Sequence, residues 1–173
     1  MSLELWDALR TRRSIRKYRT DPVPDEKIEK VLEAARIAPS ADNKQPWDFV
    51  VIRGREKIRE LGESAYPGSE FIGRAPVVIA ACANPETCGT RQDGVKYYMV
   101  DIGIAFQQLI LAAWELGLGT CWVVDFREDK IRKALGLPNQ VVPIALTPLG
   151  YPDEKLGMTP RKRLSDIVHN ERW

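Results

Sequence analysis

The sequence predicts one domain built on a sheet that is flanked by helices, of the α/β or α+β class. Four short apolar segments alternate along the chain with segments of helical periodicity, and this order of elements is typical of a sheet covered by helices. The chain of 173 residues is most simply a single domain, 1–173, long enough to bury roughly two-thirds of its unfolded surface.

Each predicted strand is a short run rich in β-branched and other apolar residues. The run Trp47–Ile52 is apolar at nearly every position, which predicts a central strand. The last run contains Pro143 and Pro148. Because proline has no N–H for the ladder, we expect an edge position or an interrupted strand there. The predicted strands are 47–52, 75–82, 120–124 and 141–149.

The predicted helices are 3–9, 25–37, 54–62, 95–116 and 128–135. The segment 95–116 is apolar nearly all round, so we expect it to be buried all round, and a partner subunit covering one side is one way to achieve this. The polar segment 84–94 predicts a mobile surface loop. The end of the chain, 153–173, is mostly polar but carries Leu164, Ile167, Val168 and Trp173. We expect this arm to dock, with a second subunit as one candidate.

Composition and motifs exclude several classes of function. A net charge of +2 with short basic runs gives no basic stripe of the kind that nucleic-acid binders show. No apolar run approaches the ~20 residues of a membrane span, and residues 1–7 do not resemble a signal peptide, so we expect a cytoplasmic protein with reduced cysteines. Cys82 and Cys88 lack zinc-motif spacing and His169 is distant, so no metal site is predicted.

A basic segment, 11–18, predicts an anion site. It contains three guanidiniums, two aliphatic hydroxyls and an ammonium, with no carboxylate. Arginine offers a bidentate fork to a phosphate, and the like charges repel one another unless an anion joins them. A solvated basic turn is the alternative interpretation.

A second polar segment, 38–47, lies between a predicted helix and a predicted strand. It holds two prolines, two side-chain amides, a hydroxyl and Trp47. Polar groups on a loop between rigid elements are a common binding surface, although turn formers also collect in simple connectors. The sequence contains no G-x-S-x-G, P-loop or G-x-G-x-x-G motif, which is consistent with an enzyme whose chemistry belongs to a cofactor.

Four ordered motifs resemble those of the FMN-dependent nitroreductase family. Residues 12–18 read RRSIRKY and resemble its opening R-R-S-x-R-x-F/Y, and residues 38–47 read APSADNKQPW and resemble its A-P-S-x-x-N-x-Q-P-W. Segment 101–122 is similar to the family's long central helix and following strand. The LGYP of 149–152 and the final IVHNERW resemble short members.

The resemblance implies an α+β sandwich with a mostly antiparallel central sheet, forming an intertwined homodimer with two FMN sites in the interface. It implies an oxidoreductase that passes hydride from NADH or NADPH through flavin N5 to nitroaromatic, quinone or similar acceptors by a ping-pong mechanism. Alternatives with the same fold are a flavin-dependent dehalogenase, a flavin-fragmenting enzyme and a non-enzymatic flavin-binding protein.

Site residues follow from the resemblance, with no catalytic side chain because the chemistry lies on the flavin. The resemblance implies that the first basic segment holds the FMN phosphate and the pyrimidine edge, joined late in the chain by Arg161 with Lys162 or Arg163. A partner subunit would supply the polar loop against the flavin ring, and Val124 and Asp125 would lie near N5. An inward Asp125 would disfavour the anionic reduced flavin, whereas an outward one would be neutral. The remaining implied residues are Arg12, Arg13, Ser14, Arg16, Pro39, Ser40, Ala41, Asn43 and Gln45. Segment 66–73 offers no amide for the uracil edge.

Overall fold

The computed structural model describes residues 3–173 as an antiparallel sheet with helices on both faces. The predicted domain, 1–173, includes two residues that lie outside this described range. The helices are α1 (Leu5–Thr11), α2 (Asp25–Arg36), α3 (Arg55–Ser64), α4 (Tyr98–Glu115) and α5 (Glu128–Leu135). The strands are β1 (Trp47–Ile52), β2 (Val77–Ala83), β3 (Gly119–Thr120) and β4 (Val142–Gly150), and short 3₁₀ turns cover Ala41–Asn43, Glu70–Arg74 and Leu164–Asp166.

The sheet order is β1-β2-β4-β3, and every strand pair is antiparallel. Because side chains alternate along a strand, the fully buried β2 contributes to two separate cores. Val77, Ile79 and Ala81 pack beneath α2 and α4, whereas Val78 and Ala80 pack beneath α3 and α5. The predicted α+β fold with a mostly antiparallel sheet flanked by helices is confirmed.

The predicted central position of β1 is wrong, because β1 forms an edge of the sheet. Its apolar character has another cause: Phe49 and Val51 pack in the core beneath α2 and α4, and Val50 and Ile52 pack in the opposite core. A strand sandwiched between two helical layers needs apolar residues on both faces even when it has only one neighbouring strand.

The edge position considered for β4 is also wrong, since β4 lies between β2 and β3. The alternative, an interrupted strand, is found only as one local bulge, because β4 runs without a break from Val142 to Gly150. The register shifts by one residue, with Ala81 opposite Ala145 but Cys82 opposite Pro143, so Ile144 has no partner. A bulge of this kind accommodates a residue that cannot donate to the ladder.

The predicted strand 120–124 is shorter than expected. Its N–H at Cys121 donates to the Oγ1 hydroxyl of Thr147 at 3.2 Å rather than to a backbone carbonyl, and the ladder stops there. Pairing resumes only as a single bridge between Val123 and Leu146.

The helix α4 begins three residues later than predicted and is not covered on all sides by its own chain. The 84–97 segment that precedes it is a turn in which the Tyr97 N–H donates to the Gly89 carbonyl at 2.9 Å. Residues such as Phe106 and Leu109 are buried, but Met99 and Val100 are 61% and 58% exposed. No helix within residues 3–173 combines the length and apolar character that crossing a membrane requires.

The arm 153–173 is attached only at its start. The Asp153 N–H donates to the Lys17 carbonyl at 2.9 Å, and Tyr18 pairs with Pro152. From residue 162 onward, every hydrogen bond found among the described residues stays within the arm, and its apolar side chains are exposed. The predicted docking of the arm on a partner stays a prediction.

Gly119 provides a test of how tightly the basic segment is seated on the sheet. A Cβ placed there would lie 2.7 Å from the Cβ of Ile15, a side chain that is fully buried. We expect Gly119→Ala to lower the free energy of unfolding by about 1–3 kcal/mol, measured by urea denaturation, because overpacking displaces Ile15. The control is Gly157→Ala, whose Cβ would meet nothing within 4 Å. Equal stabilities of the two variants would contradict this packing.

Candidate functional site

The two predicted basic runs line one cleft of about 590 Å³. One wall comes from the end of α1 and the segment that follows it, and the other comes from the start of the arm. The lining residues are Leu9, Arg10, Arg12, Arg13, Ser14, Arg16, Leu156, Gly157, Met158, Thr159 and Arg161. Arg16 and Arg161, which are 145 residues apart in sequence, therefore line the same cleft. The prediction that both basic runs bind one phosphate requires this proximity.

The sheet edge determines which side chains face this cleft. The Ile15 N–H donates to the Thr120 carbonyl at 2.8 Å, and Ser14 is bridged to Thr120. This pairing makes the segment locally extended, so successive side chains alternate in direction. Ile15 points into the protein, while Ser14 and Arg16 line the cleft.

The cleft concentrates positive charge. Within residues 3–173, no carboxylate oxygen lies within 4.0 Å of a guanidinium nitrogen of the arginines in its lining. Burial lowers the pKa of Arg12, and the nearby charges of Arg161 and Arg13 lower it further. An anion in the cleft would relieve this repulsion and accept charge-assisted hydrogen bonds.

Arg13 helps to shape the cleft, because most of its guanidinium N–H groups already bond to backbone carbonyls and are not free for a ligand. Its Nε donates to the Gly157 carbonyl at 2.9 Å, and its Nη1 donates to the carbonyls of Arg10 and Arg12 at 2.9 and 2.8 Å. The side chain thus ties the arm to the basic segment. Arg163 does not line the cleft, because its guanidinium pairs with Asp166 at 2.9 Å.

Glu154 is a residue of this site that the sequence analysis missed. Its Oε1 accepts the backbone N–H of Arg16 at 2.6 Å and that of Lys17 at 3.0 Å. Five arginines line the cleft, yet this carboxylate binds backbone N–H groups instead of a guanidinium. It therefore orders the segment without forming a salt bridge to any of these arginines among the described residues. No local motif identifies a single glutamate after a Gly-Tyr-Pro turn.

Cys121 lies beneath the cleft and is buried. Burial raises the pKa of its thiol, although Arg16, Ser14 and Arg12 act in the opposite direction. Burial also raises the pKa of Cys82, to about 12. Both groups are therefore neutral thiols at neutral pH. In the part of the chain that the structure describes, no group of three or more His, Cys, Asp or Glu side chains is arranged to hold a metal ion.

The second predicted half of the site is the amide loop, defined as residues 38–45. Asp42, Asn43 and Gln45 adopt left-handed φ angles of 49°, 55° and 48°. Such conformations cost roughly 1–2 kcal/mol for most residues, and somewhat less for Asn and Asp, so contacts elsewhere must hold them. Ser40 supplies one, since its Oγ accepts the Gln45 N–H at 2.9 Å. Gln45 in turn donates its side-chain amide to the Asn43 Oδ1 at 3.1 Å.

The two halves lie at opposite ends of α4 in one protomer. The Ala41 N–H donates to Asp101 in the first turn of this helix at 3.0 Å. Near the other end of the helix, the Trp114 indole donates at 2.9 Å to Thr11, the first residue of the basic segment. Thirteen residues of helix separate these contacts by roughly 20 Å. A single chain therefore does not bring the amide loop and the arginine cleft together.

Val124 and Asp125 follow the short strand β3 and are exposed, Val124 to 61%. The Asp125 carbonyl accepts the N–H of Tyr66 at 3.4 Å. Neither residue lines the arginine cleft. Asp125 is exposed to solvent in this protomer, and its orientation relative to a flavin stays a prediction.

Comparison with known proteins identifies the family. The model of the nitroreductase family matches residues 9–68 and 64–151. The chain belongs to the nitroreductase family. A Methanothermobacter thermautotrophicus protein, with the provisional name NADH dehydrogenase/NAD(P)H nitroreductase, is 37% identical over 176 residues, covering 99% of this chain and 88% of the relative.

Solved nitroreductase structures agree with this fold. A nitroreductase family protein from Clostridium difficile 630 superposes with a TM-score of 0.87 at 36% identity, covering 96% and 97% of the two chains. An FMN-dependent nitroreductase from Clostridium difficile R20291 gives a TM-score of 0.82 at 32% identity, covering 96% and 98%. More distant relatives are a Bacillus subtilis protein named FMN reductase (NAD(P)H), 27% identical, and a rat protein named iodotyrosine deiodinase 1, 29% identical. The predicted family is confirmed.

Glu154→Ala tests whether the Glu154 carboxylate orders the basic segment that lines the arginine cleft. We expect faster hydrogen exchange at the Arg16 and Lys17 amides and a loss of stability of about 1.5–3 kcal/mol, the range for hydrogen bonds to a charged group. Mass spectrometry at residue resolution would measure the exchange. Glu29→Ala, at an exposed position of α2, is the control. Unchanged exchange at both amides would contradict the role of Glu154.

Proposed function

We propose that this nitroreductase is an FMN-dependent oxidoreductase that takes electrons from NADH or NADPH and delivers them to nitroaromatic, quinone or similar acceptors. Relatives named NAD(P)H nitroreductase and FMN reductase (NAD(P)H), and a solved neighbour described as FMN-dependent, support the cofactor and the electron donor. The acceptor and the ping-pong order of the two half-reactions are the finer parts of the proposal. Three free thiols are compatible with a cytoplasmic setting.

The observation that carries the proposal is the arginine cleft. FMN ends in a phosphate dianion, and the cleft supplies guanidiniums and a hydroxyl with no carboxylate at salt-bridge distance within the described residues. Arg12, Arg16 and Arg161 would bind the phosphate, and Ser14 would donate its hydroxyl. Arg13 and Glu154 would maintain the geometry, because their polar atoms are already bonded to backbone. The donor set fits the phosphate.

We further propose that the complete site needs a second copy of the chain. The amide loop lies roughly 20 Å along α4 from the cleft in one protomer, so the loop would meet the flavin ring of the partner. The uncovered apolar residues of α1, α4 and the arm are the candidate interface, including Trp6, Met99, Val100, Leu164 and Trp173. Apolar surface this extensive favours burial in an oligomer.

Bound FMN would supply the electron-carrying chemistry, and the chain would supply position and field. The cleft would anchor the phosphate, and Pro39, Ser40 and Ala41 of the amide loop would support the ring from the partner. Asn43 and Gln45 are exposed and carry amides suited to orienting an acceptor. Val124 and Asp125 stay predicted neighbours of N5, where a backbone N–H would favour the electron-rich reduced ring.

The spectrum of the purified protein is the test of the function. We expect the absorbance of oxidised flavin near the visible maximum of FMN, release of FMN on denaturation, and bleaching by NADH or NADPH without oxygen. A quinone or nitroaromatic should then restore the colour. A protein that stays colourless after reconstitution with FMN would exclude every flavin-based function. Bound FMN that neither nicotinamide bleaches would favour a non-enzymatic flavin-binding protein.

The relative named iodotyrosine deiodinase 1 favours one second candidate, reductive dehalogenation. The discriminating measurement is halide release from a halogenated aromatic by the reduced protein. Halide release faster than quinone or nitroaromatic reduction would replace the proposed acceptor class while leaving the cofactor unchanged.

Arg12→Ala tests the phosphate contact. Removing a charged hydrogen bond should weaken FMN binding by about 1.5–3 kcal/mol, or roughly 10- to 150-fold in Kd, measured by quenching of flavin fluorescence. Arg36→Ala makes the same change of charge on the exposed face of α2, where Arg36 pairs with Glu33, and should leave the Kd unchanged. Equal FMN affinities of the two variants would remove Arg12 from the proposed site.

A further inference from the structure

We propose that Asp101 is the positioning residue of this site, because its buried carboxylate holds the amide loop in the shape that faces flavin and acceptor. No motif used to assign the site includes Asp101 in that role. The inference rests on the proposed function, since it names what fixes the loop that the partner's flavin would meet.

The first observation is a carboxylate in an unfavourable environment. Asp101 is only 2% exposed, and its Oδ1 accepts the backbone N–H of Ala41 at 3.0 Å. Its Oδ2 is buried and has no hydrogen-bond partner among residues 3–173. A half-satisfied buried carboxylate does not help the core as an apolar side chain would, so packing alone does not account for it. Its one directional contact is to the amide loop.

The second observation concerns where Asp101 is anchored. It lies in the first turn of α4, where the helix dipole favours a negative charge, and the next residue, Ile102, is fully buried in the core. The carboxylate therefore extends from a rigid element. The residue that it holds, Ala41, directly precedes two of the left-handed residues of the amide loop.

A third contact confines Ala41 from another side. A Cβ built on Gly89 would lie 2.7 Å from the Cβ of Ala41 and 3.3 Å from the ring of Tyr97, so the 84–97 segment packs directly against the loop. The backbone of Tyr97 connects the other two residues: its carbonyl accepts the N–H of Asp101 at 2.9 Å, and its N–H donates to the Gly89 carbonyl at 2.9 Å. Gly89, Tyr97 and Asp101 thus form a connected support that holds Ala41 by a hydrogen bond and by packing.

This arrangement separates loop position from phosphate binding. The support lies at the start of α4, roughly 20 Å from the arginine cleft of the same chain. A change at Asp101 should therefore alter how the loop meets the flavin ring and the acceptor, while the phosphate contacts persist. Displacement of a positioning loop by about 1 Å can reduce the rate of a reaction by up to about 100-fold.

The experiment compares Asp101→Ala, Asp101→Asn and a control. Asp101→Ala removes the acceptor for the Ala41 N–H, whereas Asp101→Asn keeps an acceptor oxygen and removes the charge. The control is Ser64→Ala on α3, which deletes another buried polar group that bonds to backbone, here the Glu60 carbonyl at 2.8 Å. The readouts are FMN Kd, the visible spectrum of bound flavin, and kcat and KM for NADPH with a quinone acceptor.

We expect Asp101→Ala to lower kcat/KM for the quinone by about 10- to 100-fold and to shift the flavin spectrum, with FMN Kd changed by less than about tenfold. Asp101→Asn should lie closer to the parent protein, and Ser64→Ala should match the parent in all three readouts. If Asp101→Ala and Ser64→Ala show the same kinetics and the same flavin spectrum, Asp101 is merely structural and the proposal is overturned.

Measurements on the unaltered protein and on a second variant keep the proposal testable if Asp101→Ala does not fold. The Ala41 amide should exchange slowly for a surface loop, and exchange as fast as that of exposed amides would contradict the contact. Gly89→Ala would place a methyl group against Ala41 and should change the same kinetic readouts and the flavin spectrum. Unchanged values would contradict the proposal that Gly89, Tyr97 and Asp101 hold the loop. Slow Ala41 exchange in a protein that binds no FMN would refute the proposed function while retaining the role of Asp101 in the loop.

Discussion

The helix α4 is the element on which the rest of this nitroreductase depends. Its buried face, with Ile102, Phe106 and Leu109, forms the core beneath the sheet. Its two ends carry the two halves of the proposed site, with Asp101 holding the amide loop and Trp114 contacting the basic segment. Because a helix is rigid, its length fixes the separation of these halves at roughly 20 Å, which favours a site that is completed by a second protomer.

The second constraint on the structure, after the length of α4, is the repulsion among the positive charges of the cleft. Five arginines share the cleft with no salt-bridge partner in the described chain, so the segment would be expected to spread apart. Contacts that leave most of the charge available oppose this: Arg13 binds three carbonyls, and Glu154 binds two backbone N–H groups. The site is thus organised before an anion arrives, and preorganisation of this kind reduces the ordering that binding must impose.

Local signals were sufficient to predict the elements and the residues with recognisable chemistry. Strand and helix periodicity located nine elements, and the RRSIRKY and APSADNKQPW segments indicated both halves of the proposed site. Long-range relations were not accessible in this way. The positions of β1 and β4 depend on strand order, and the Asp101 and Glu154 contacts join residues 60 and 138 positions apart, with no motif to connect them. The register shift opposite Pro143 was predictable as an interruption, but not as an interior bulge.

The division between what was predictable and what was not has a physical origin. Residues that would touch a ligand must present particular donors at particular spacings, and those spacings remain visible in sequence. Residues that hold them need only a hydrogen-bonding atom at the correct place in space, which many folds could supply from many positions. Asp101 and Glu154 are both single carboxylates that accept backbone N–H groups. In this fold, backbone-binding carboxylates therefore hold two recognisable segments in defined geometry, one from the first turn of α4 and the other from the start of the arm.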